Sequence, residues 1–356
     1  MTKKLRVGII FGGRSGEHEV SLLSAASILK AIDRRKFNVA PIGIDKAGHW
    51  LTADAAQGLL EGTASDIAVD SVESGVALQG LDVVFPVLHG TFGEDGTIQG
   101  LFELAGIPYV GSGVLGSSAG MDKDVMKRLF AQAKLPLVKH VTLLRAEWER
   151  APRKSIAQVE AALRYPVFVK PANLGSSVGI SKVHDRKELG PALDLAARYD
   201  RKLVVEEGVG GKKSKARELE VGVLGNDDPQ SSVVGEIIPG KEFYDYEAKY
   251  LSDGSVAVIP AKLSKDETKQ IRELAVAAFR ACDLSGLARV DFLMEPDGKR
   301  RIYLNEVNTL PGFTSISMYP KLWQATGIAY KDLITRLIEL ALERQAEKSR
   351  TCYSRE

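Results

Sequence analysis

Polar side chains that could ligate a metal alternate along a segment typical of a β-hairpin. The strand-like runs 287–294 and 301–308 flank a turn sequence, PDG. With a two-residue turn, Arg289 would face Glu306, and Asp291 would lie one pair away from Glu306. One face would then carry Arg289, Asp291, Glu306 and Asn308, and the other would carry Ala288, Val290, Phe292, Tyr303 and Val307.

Three oxygen-bearing side chains on one rigid face suit a hard divalent cation such as Mg2+. The same residues could instead form a surface ladder of ion pairs. The strands are otherwise strongly apolar, which indicates burial, and buried carboxylates need a compensating charge. The loop that follows, NTLPGFTS, would cover the polar face. The segment therefore predicts the metal end of an active site, unless an odd-numbered turn separates Asp291 from Glu306.

The chain is long enough for two or three domains and has the composition of a soluble globular protein. It contains 356 residues, of which 44% are hydrophobic, and its net charge is +2. This balance indicates neither a nucleic-acid nor a membrane-surface partner. Cys282 and Cys352 provide no disulfide framework and fit a reducing cytosol. We find no signal-peptide pattern, and no stretch approaches the ~20 apolar residues of a membrane span.

Strand and helix signals alternate from residue 5 to residue 120, which predicts an α/β domain. Residues 45–80 are polar, and we expect irregular structure there. The small-residue segment 111–118 is predicted to be a loop. Residues 239–256 are polar and aromatic, so we expect a long loop of the kind that closes over a site. Other predicted elements are strands at 38–44, 81–88, 165–170, 202–207, 218–224 and 232–238, and helices at 123–134, 155–164, 271–282 and 331–346.

The segment 170–179 could bind phosphate. Gly175 and Gly179 permit close backbone approach, and Lys170 at the end of the preceding strand could balance the charge of a phosphate. The spacing excludes a Walker-type P-loop. Most Gly/Ser turns bind nothing, so this prediction depends on Lys170 and on the polar face of the hairpin.

Other candidate residues are weaker when taken singly. Glu206 and Glu207 end a strand, where they could contact an adenine amino group or ribose hydroxyls, although a solvated strand end is the simpler interpretation. Glu17 and Glu19 open a helix, where acids favour the macrodipole, and this capping role suits Glu17 better than Glu19. His89 follows a buried-looking strand near which a ligand crevice could lie, yet a single histidine is usually structural.

Taken together, these motifs resemble those of the D-alanine–D-alanine ligase family, within the ATP-grasp superfamily, over nearly the whole chain. Several spaced motifs in the expected order are specific, whereas any one alone is not. The segments that carry the resemblance are GGRSGEHEVSLLSA, LHGTFGEDGTIQG, GSGVLGSSAGMDK, VKPANLGSSVGISKV, FYDYEAKY, ARVDF and NEVNTLPGFTSISMYP.

The resemblance implies an α/β and α+β fold with a three-domain ATP-grasp architecture. Residues 1–122 would form a Rossmann-like (pre-ATP-grasp) substrate domain, and residues 123–207 the central ATP-grasp subdomain. Residues 208–356 would form the C-terminal ATP-grasp domain, with the metal site and a lid loop at 239–256. ATP would bind between the second and third domains. The family also implies a homodimer in the cytoplasm.

The resemblance also implies roles for individual residues. Asp291, Glu306 and Asn308 match the ligands of a Mg2+ or Mn2+ ion that bridges the ATP phosphates. The residues that match ATP contacts are Lys123, Lys170, Ser176, Ser177, Glu206, Glu207, Val209, Glu218 and Lys249. Glu19 and His89 match contacts of the first D-alanine, and Ser176 and Tyr250 match hydrogen-bond partners of Glu19. Arg289 and the Gly312 N–H match an oxyanion-stabilising pair, and Ser317 and Met318 match the site of the second carboxylate.

The implied reaction activates one D-alanine as an acyl phosphate, which the amine of a second D-alanine attacks to give the peptidoglycan precursor D-alanyl-D-alanine. Three alternatives are open. A D-alanine–D-lactate ligase has the same fold but usually carries another residue in place of Tyr250. A ligase for other acids and amines would release phosphate with a different substrate. A non-catalytic sensor would be expected to lack metal ligands, which are present here.

Overall fold

The structure is a computed structural model, and it describes residues 4–62, 71–175, 178–210, 215–238, 256–296 and 300–354. The strands in these ranges form three sheets, each packed against helices. The prediction of a mixed α/β and α+β fold is confirmed. The domain boundaries after residues 122 and 207 stay a prediction. The predicted lid loop lies outside the described residues except for Val256, which begins a strand.

The first sheet has the strand order β4-β3-β2-β1-β5. Its central strand, β1 (Leu5–Gly12), is parallel to β2 (Phe37–Ile44) and to β5 (Val83–Pro86). The apolar run in β1 is buried throughout, as expected for a parallel strand covered on both faces. Because the carboxyl ends of β1 and β5 are adjacent, the segments that follow them meet at one edge. Helix α1 (His18–Ala31) begins at that edge.

The expectation of irregular structure over 45–80 is wrong for the described part of that range. Short elements form there because Trp50 pairs with Ile44 and because Ala56 is packed into the core. Thr52 caps the longer helix by accepting a hydrogen bond from the Ala55 N–H. The elements are β3 (Trp50–Leu51), α2 (Ala53–Glu61), β4 (Ser71–Val72) and α3 (Ser74–Ala77).

The predicted loop at 111–118 is also wrong in part, since α5 (Val114–Met121) begins inside it and follows α4 (Thr97–Ala105). The small residues here serve close packing between helices and loops. A Cβ at Gly116 would lie 2.4 Å from the Asp283 carbonyl oxygen, so only glycine fits there.

The second sheet has the order β6-β9-β7-β8 and includes the predicted strands before and after the glycine loop. Helix α6 (Lys123–Gln132) precedes it, and its buried Met126 and Phe130 pack into the core of the third sheet. Helix α6 therefore lies between the second and third sheets. The elements of this region are β6 (His140–Leu144), α7 (Arg145–Arg150), α8 (Pro152–Ala162), β7 (Val167–Pro171), β8 (Ser181–Val183), α9 (Arg186–Ala197) and β9 (Lys202–Glu207).

The third sheet is antiparallel, with the order β12-β11-β10-β13-β14. The predicted apolar face of the helix near residue 275 is confirmed, because Ile271, Ala275 and Phe279 are buried against the sheet. The last helix returns to the core of the first sheet. The elements are β10 (Arg217–Gly225), β11 (Gln230–Ile238), β12 (Val256–Val258), α10 (Lys265–Ala281), β13 (Gly286–Met294), β14 (Ile302–Asn308), α11 (Met318–Thr326) and α12 (Tyr330–Lys348).

The hairpin of β13 and β14 forms as predicted, but its predicted register is wrong. Arg289 pairs with Asn308, and Asp291 pairs with Glu306, whereas Phe292 pairs with Leu304 nearer the turn. Asn305 is therefore an extra residue, a β-bulge. The register near the turn alone would set Asp291 opposite Asn305 and turn Glu306 to the other face. The bulge instead restores Glu306 to the face of Asp291.

The register at the turn decides whether Tyr303 or Leu304 faces the core. Leu304 is buried with Phe292 in the core of the third sheet, whereas Tyr303 is half-buried opposite Leu293 on the other face of that sheet. The prediction that Tyr303 shares the apolar face is therefore wrong, because the register at the turn is offset by one residue from the predicted one.

Candidate active site

The polar face of the hairpin holds a compact cluster of charges. Arg289 forms a two-point ion pair with Asp291, with its Nε and Nη2 each 2.7 Å from a carboxylate oxygen. The Asn308 amide donates to Asp291 at 3.0 Å, and Arg289 Nε also lies 3.2 Å from Glu220 Oε2. Across the hairpin Arg289 lies opposite Asn308, not opposite Glu306 as predicted, because the bulge moves Glu306 opposite Asp291.

Lys123 connects Glu306 to the glycine loop. Its Nζ lies 3.3 Å from Glu306 Oε2 and donates to the Leu174 carbonyl oxygen at 3.0 Å. The Lys123 backbone N–H also donates a hydrogen bond to the Ala172 carbonyl oxygen at 3.0 Å. The start of the glycine loop is thus fixed to α6, and a lysine lies beside a candidate metal ligand.

Lys170 and Glu206 form a buried ion pair on adjacent strands. Lys170 Nζ lies 2.7 Å from Glu206 Oε2, and both side chains are buried. Burial opposes ionisation of Glu206, but Lys127 and Lys170 outweigh it and hold the pKa of this carboxyl well below its usual range. Burial likewise works against the charge of Lys170, yet Glu206 and Glu306 raise its pKa. Both groups are therefore charged at neutral pH.

The residues predicted to contact the base and ribose lie near this pair. Val209 and Glu207 line a cleft of about 730 Å3 that Tyr303 also borders. The Glu207 carboxylate accepts a hydrogen bond from the Arg164 N–H at 3.1 Å. Glu218, at the start of β10, is close enough to Lys170 to raise its pKa. Glu206 does not line this cleft, because its carboxylate is turned toward the two lysines.

Four predicted site residues lie outside the described ranges: Ser176, Ser177, Lys249 and Tyr250. The adjacent Gly175 is described, and a Cβ there would lie 2.8 Å from Glu17 Oε2. A Cβ at Gly90, whose φ is +77°, would lie 2.5 Å from the same oxygen. The Glu17 carboxylate therefore lies between the glycine loop and the segment after β5, in space that only glycines leave open.

The structure does not bring Glu19 to the site, so that prediction is wrong. The Glu19 side chain is 59% exposed and lies 2.6 Å from Lys46 Nζ, whereas Glu17 is 9% exposed. Two positions apart at the start of a helix, the residues differ by about 200° around the helix axis and cannot face the same way. That geometry was available from the sequence and shows that only one of the two can face inward.

His89 lies at the site but is occupied in holding the loop that follows β14. Its ring is buried, with Nδ1 2.8 Å from the Leu310 carbonyl and Nε2 3.0 Å from Ser24 Oγ. Burial lowers the pKa of His89, although Glu17 acts in the opposite direction. The neutral ring then donates from Nδ1 to Leu310 and accepts from Ser24. The same Ser24 hydroxyl accepts the Phe313 N–H at 3.3 Å.

This loop brings Gly312 close to Ser317. A Cβ at Gly312 would lie 3.2 Å from Ser317 Oγ, and that hydroxyl accepts the Thr314 N–H at 3.1 Å. Ser317 precedes α11, and Met318, its first residue, packs its methyl group against Gly235 of β11. The predicted oxyanion and second-carboxylate residues Gly312 and Ser317 are therefore neighbours.

Glu94 is a half-buried carboxylate at the site that the sequence did not single out. It accepts hydrogen bonds from the Gly90 and Leu310 N–H groups, each at 2.9 Å, and from Thr309 Oγ1 at 3.3 Å. Burial, with the charge of Glu17 adding to it, raises the pKa of Glu94 to about 7. Its position in the motif LHGTFGEDGTIQG was the only signal of a role.

We expect Glu94→Gln to flatten the pH dependence of stability. The Glu94 carboxyl titrates near 4.5 when unperturbed and near 7 in the fold, so the folded protein binds the extra proton between these values. The contribution of Glu94 to the free energy of unfolding is complete below about pH 4.5 and is lost as the pH rises through 7. The difference in unfolding free energy between wild type and variant should fall by on the order of 3 kcal/mol from pH 5 to pH 8. Urea unfolding at pH 5 and pH 8 measures these free energies. An equal change between the two pH values in wild type and Glu94→Gln would contradict the prediction.

Similarity to known proteins agrees with this fold. Family models for the D-ala D-ala ligase N-terminus and C-terminus match residues 6–112 and 129–339. Proteins named D-alanine–D-alanine ligase from Natranaerobius thermophilus and Heliobacterium modesticaldum are each 52% identical to this chain. The first alignment covers 98% of each chain, and the second covers 99% of this chain and 98% of the relative.

Solved structures are similar over the same length. The VanG D-Ala:D-Ser ligase from Enterococcus faecalis is 38% identical, with a TM-score of 0.82 over 95% of this chain and 100% of that chain. The D-alanine–D-alanine ligase from Coxiella burnetii is 35% identical, with a TM-score of 0.81 over 98% of this chain and 97% of that chain. The fold and these similarities define an ATP-dependent ligase with the ATP-grasp fold. This chain belongs to the D-alanine–D-alanine ligase family.

The candidate metal ligands fit Mg2+ in kind. Asp291 and Glu306 lie directly opposite each other, Asn308 contacts Asp291, and all three offer the hard oxygen donors that Mg2+ prefers. Within the described ranges, no group of three or more His, Cys, Asp or Glu side chains could hold a metal, and this set has only two carboxylates. A phosphate-bound ion fits such a set, since Mg2+ is usually held by one or two carboxylates and substrate phosphates.

None of the described helices could cross a membrane.

Proposed function

We propose that this enzyme joins two D-alanine molecules to D-alanyl-D-alanine, with conversion of ATP to ADP and phosphate. One observation carries the proposal: the glycine loop links a carboxylate pocket to the polar face of the hairpin. Gly175 lies against Glu17, and the adjacent Leu174 carbonyl accepts a hydrogen bond from Lys123, which lies 3.3 Å from Glu306. An anchor for a substrate ammonium and a phosphate-transfer centre are thus joined by two consecutive residues.

The first step activates the carboxylate of one D-alanine. Glu17 holds the ammonium group of this substrate, and the substrate carboxylate oxygen attacks the γ-phosphorus of ATP, so that ADP leaves and an acyl phosphate forms. Lys123 and Lys170 neutralise charge on the phosphates. Asp291, Glu306 and Asn308 would hold Mg2+ or Mn2+, which supplies further positive charge to the phosphate oxygens.

The second step forms the peptide bond. The neutral amine of the second D-alanine attacks the acyl carbon, and the tetrahedral oxyanion receives hydrogen bonds from Arg289 and the Gly312 N–H. The two-point pair with Asp291 fixes the plane of the Arg289 guanidinium. Phosphate then leaves and the amine loses its proton. Ser317 and Met318 bind the carboxylate of the second substrate.

The family context supports the dipeptide product. The relatives at 52% identity are named D-alanine–D-alanine ligases, so a D-alanine–D-lactate product is not favoured. Dipeptide synthesis supplies a building block of the peptidoglycan precursor. A homodimer in the cytoplasm is part of this proposal.

The decisive experiment compares phosphate release from ATP with D-alanine and with L-alanine, in the presence of Mg2+, followed by mass spectrometry of the product. We expect release only with D-alanine, together with a product of the mass of the dipeptide. D-lactate supplied with D-alanine should not divert the product to the ester. Phosphate release with another amino acid, and none with D-alanine, would overturn the proposal.

A further inference from the structure

Lys127 is a buried cation that the proposed reaction does not use. It lies on α6 four residues after Lys123, so both side chains project from one side of the helix. Its exposure is 0%, and a charge buried to this extent needs partners. Lys127 Nζ has two: it lies 2.9 Å from Glu206 Oε1 and donates to the Asn305 carbonyl oxygen at 3.3 Å.

These contacts belong to a closed ring of four side chains and one carbonyl. Lys170 Nζ lies 2.7 Å from the second oxygen of Glu206 and donates to Asn305 Oδ1 at 3.4 Å. The ring runs from Lys127 to Glu206, Lys170 and Asn305 and back to Lys127. Its members come from α6, β9, β7 and β14, so it joins the second sheet to the third. Burial lowers the pKa of Lys127, and Glu206 opposes that shift.

Asn305 gives the ring its importance, because it is the bulge residue of the hairpin. Without the bulge, the register at the turn would turn Glu306 away from Asp291. The two lysines hold both acceptors of Asn305, its carbonyl and its side-chain oxygen. A bulge that is held at both acceptors cannot slip to the unbulged register without breaking buried hydrogen bonds.

We propose that Lys127 is a positioning residue for the nucleotide–metal site: it fixes the Asn305 bulge that turns Glu306 toward Asp291 and orients the Glu206 carboxylate. Lys127 acts through these two residues and touches neither substrate. This inference rests on the proposed function, since it assigns the nucleotide to the region between Glu306 of the third sheet and Glu206 of the second. It predicts a defect in nucleotide binding that leaves D-alanine binding intact.

The informative variant is Lys127→Met, which keeps an unbranched side chain but removes the charge and the donors. It leaves Lys170 and Glu206 as a neutral pair, so no buried charge loses its only counter-ion. Lys127→Arg keeps the charge with a different donor geometry. Arg128→Met is the matched control, because Arg128 is the next residue on the same helix and its side chain is 71% exposed.

Calorimetric titration with ADP, with and without Mg2+, is the primary measurement, and steady-state KM for D-alanine is the second. We expect Lys127→Met to weaken ADP binding in the presence of Mg2+ by about 10- to 100-fold, the effect of losing hydrogen bonds to charged groups. The gain in ADP affinity that Mg2+ brings should shrink, while KM for D-alanine stays within about twofold. Lys127→Arg should recover part of the affinity, and Arg128→Met should match wild type.

Three results would overturn the inference. A folded Lys127→Met with wild-type ADP affinity in Mg2+ would show that the ring does not position the site. An equal loss for ADP and D-alanine would show a general structural defect. If Lys127→Met does not fold, Lys127→Arg decides: wild-type affinity with a wild-type Mg2+ effect overturns the inference, and a selective ADP defect supports it. Failure of wild type to bind ADP would instead refute the proposed function.

Discussion

Glu306→Gln is expected to lower kcat by about 1,000-fold or more, because several kcal/mol of charge stabilisation at the phosphates depend on this carboxylate. In the structure Glu306 lies opposite Asp291 and 3.3 Å from Lys123. Glutamine keeps the size of the side chain but removes the negative charge, so both the candidate metal site and Lys123 lose an anionic partner. Phosphate release at increasing Mg2+ concentrations measures the effect.

The loss should be confined to the reaction. Because Glu306 is only partly buried, its replacement is expected to cost about 1–3 kcal/mol of stability, and the circular dichroism of the variant should match wild type. Glu273→Gln is the matched control, since Glu273 is a well-exposed carboxylate on α10 that pairs only loosely with Lys269 at 3.9 Å. Wild-type turnover in Glu306→Gln would remove this residue from the metal site.

Glu17→Gln is expected to lower kcat/KM for D-alanine by about 10- to 100-fold, whereas Glu19→Gln should have almost no effect. A hydrogen bond between charged groups contributes about 1.5–3 kcal/mol, and a neutral amide in place of Glu17 would remove the charge that we propose holds the substrate ammonium. Glu19 is exposed and paired with Lys46, where an ion pair contributes little. Steady-state kinetics with varied D-alanine compares the two variants.

A second measurement separates a local role of Glu17 from a general disturbance. Because the charge of Glu17 helps to raise the pKa of Glu94, Glu17→Gln should lower the pKa of Glu94 from about 7. The pH dependence of stability should then shift toward lower pH in this variant and stay unchanged in Glu19→Gln. Equal kinetic defects in the two variants would contradict the assignment of Glu17.

Local patterns in the sequence were enough for most of the regular elements near the site. The strands 202–207 and 218–224 were predicted within a residue of their observed bounds, because buried strands are continuous apolar runs between turn residues. The short elements between residues 45 and 80 were missed, since their stability comes from pairing with β2 and from the burial of Ala56. Helix α5 was missed because its glycines pack against Asp283 and Thr309, which are distant in sequence.

The sequence by itself determined the candidate residues: two carboxylates and an amide on one hairpin, two lysines, and a glycine loop, in an order typical of one ligase family. Only the tertiary structure decided how they meet. It showed that Asp291 faces Glu306 through a bulge at Asn305, that Arg289 pairs with Asp291, and that Glu17, not Glu19, lies beside the glycine loop. The reason is physical: register and side-chain direction depend on contacts across sheets, including those of Lys127 and Lys170 with Asn305, which no local pattern encodes.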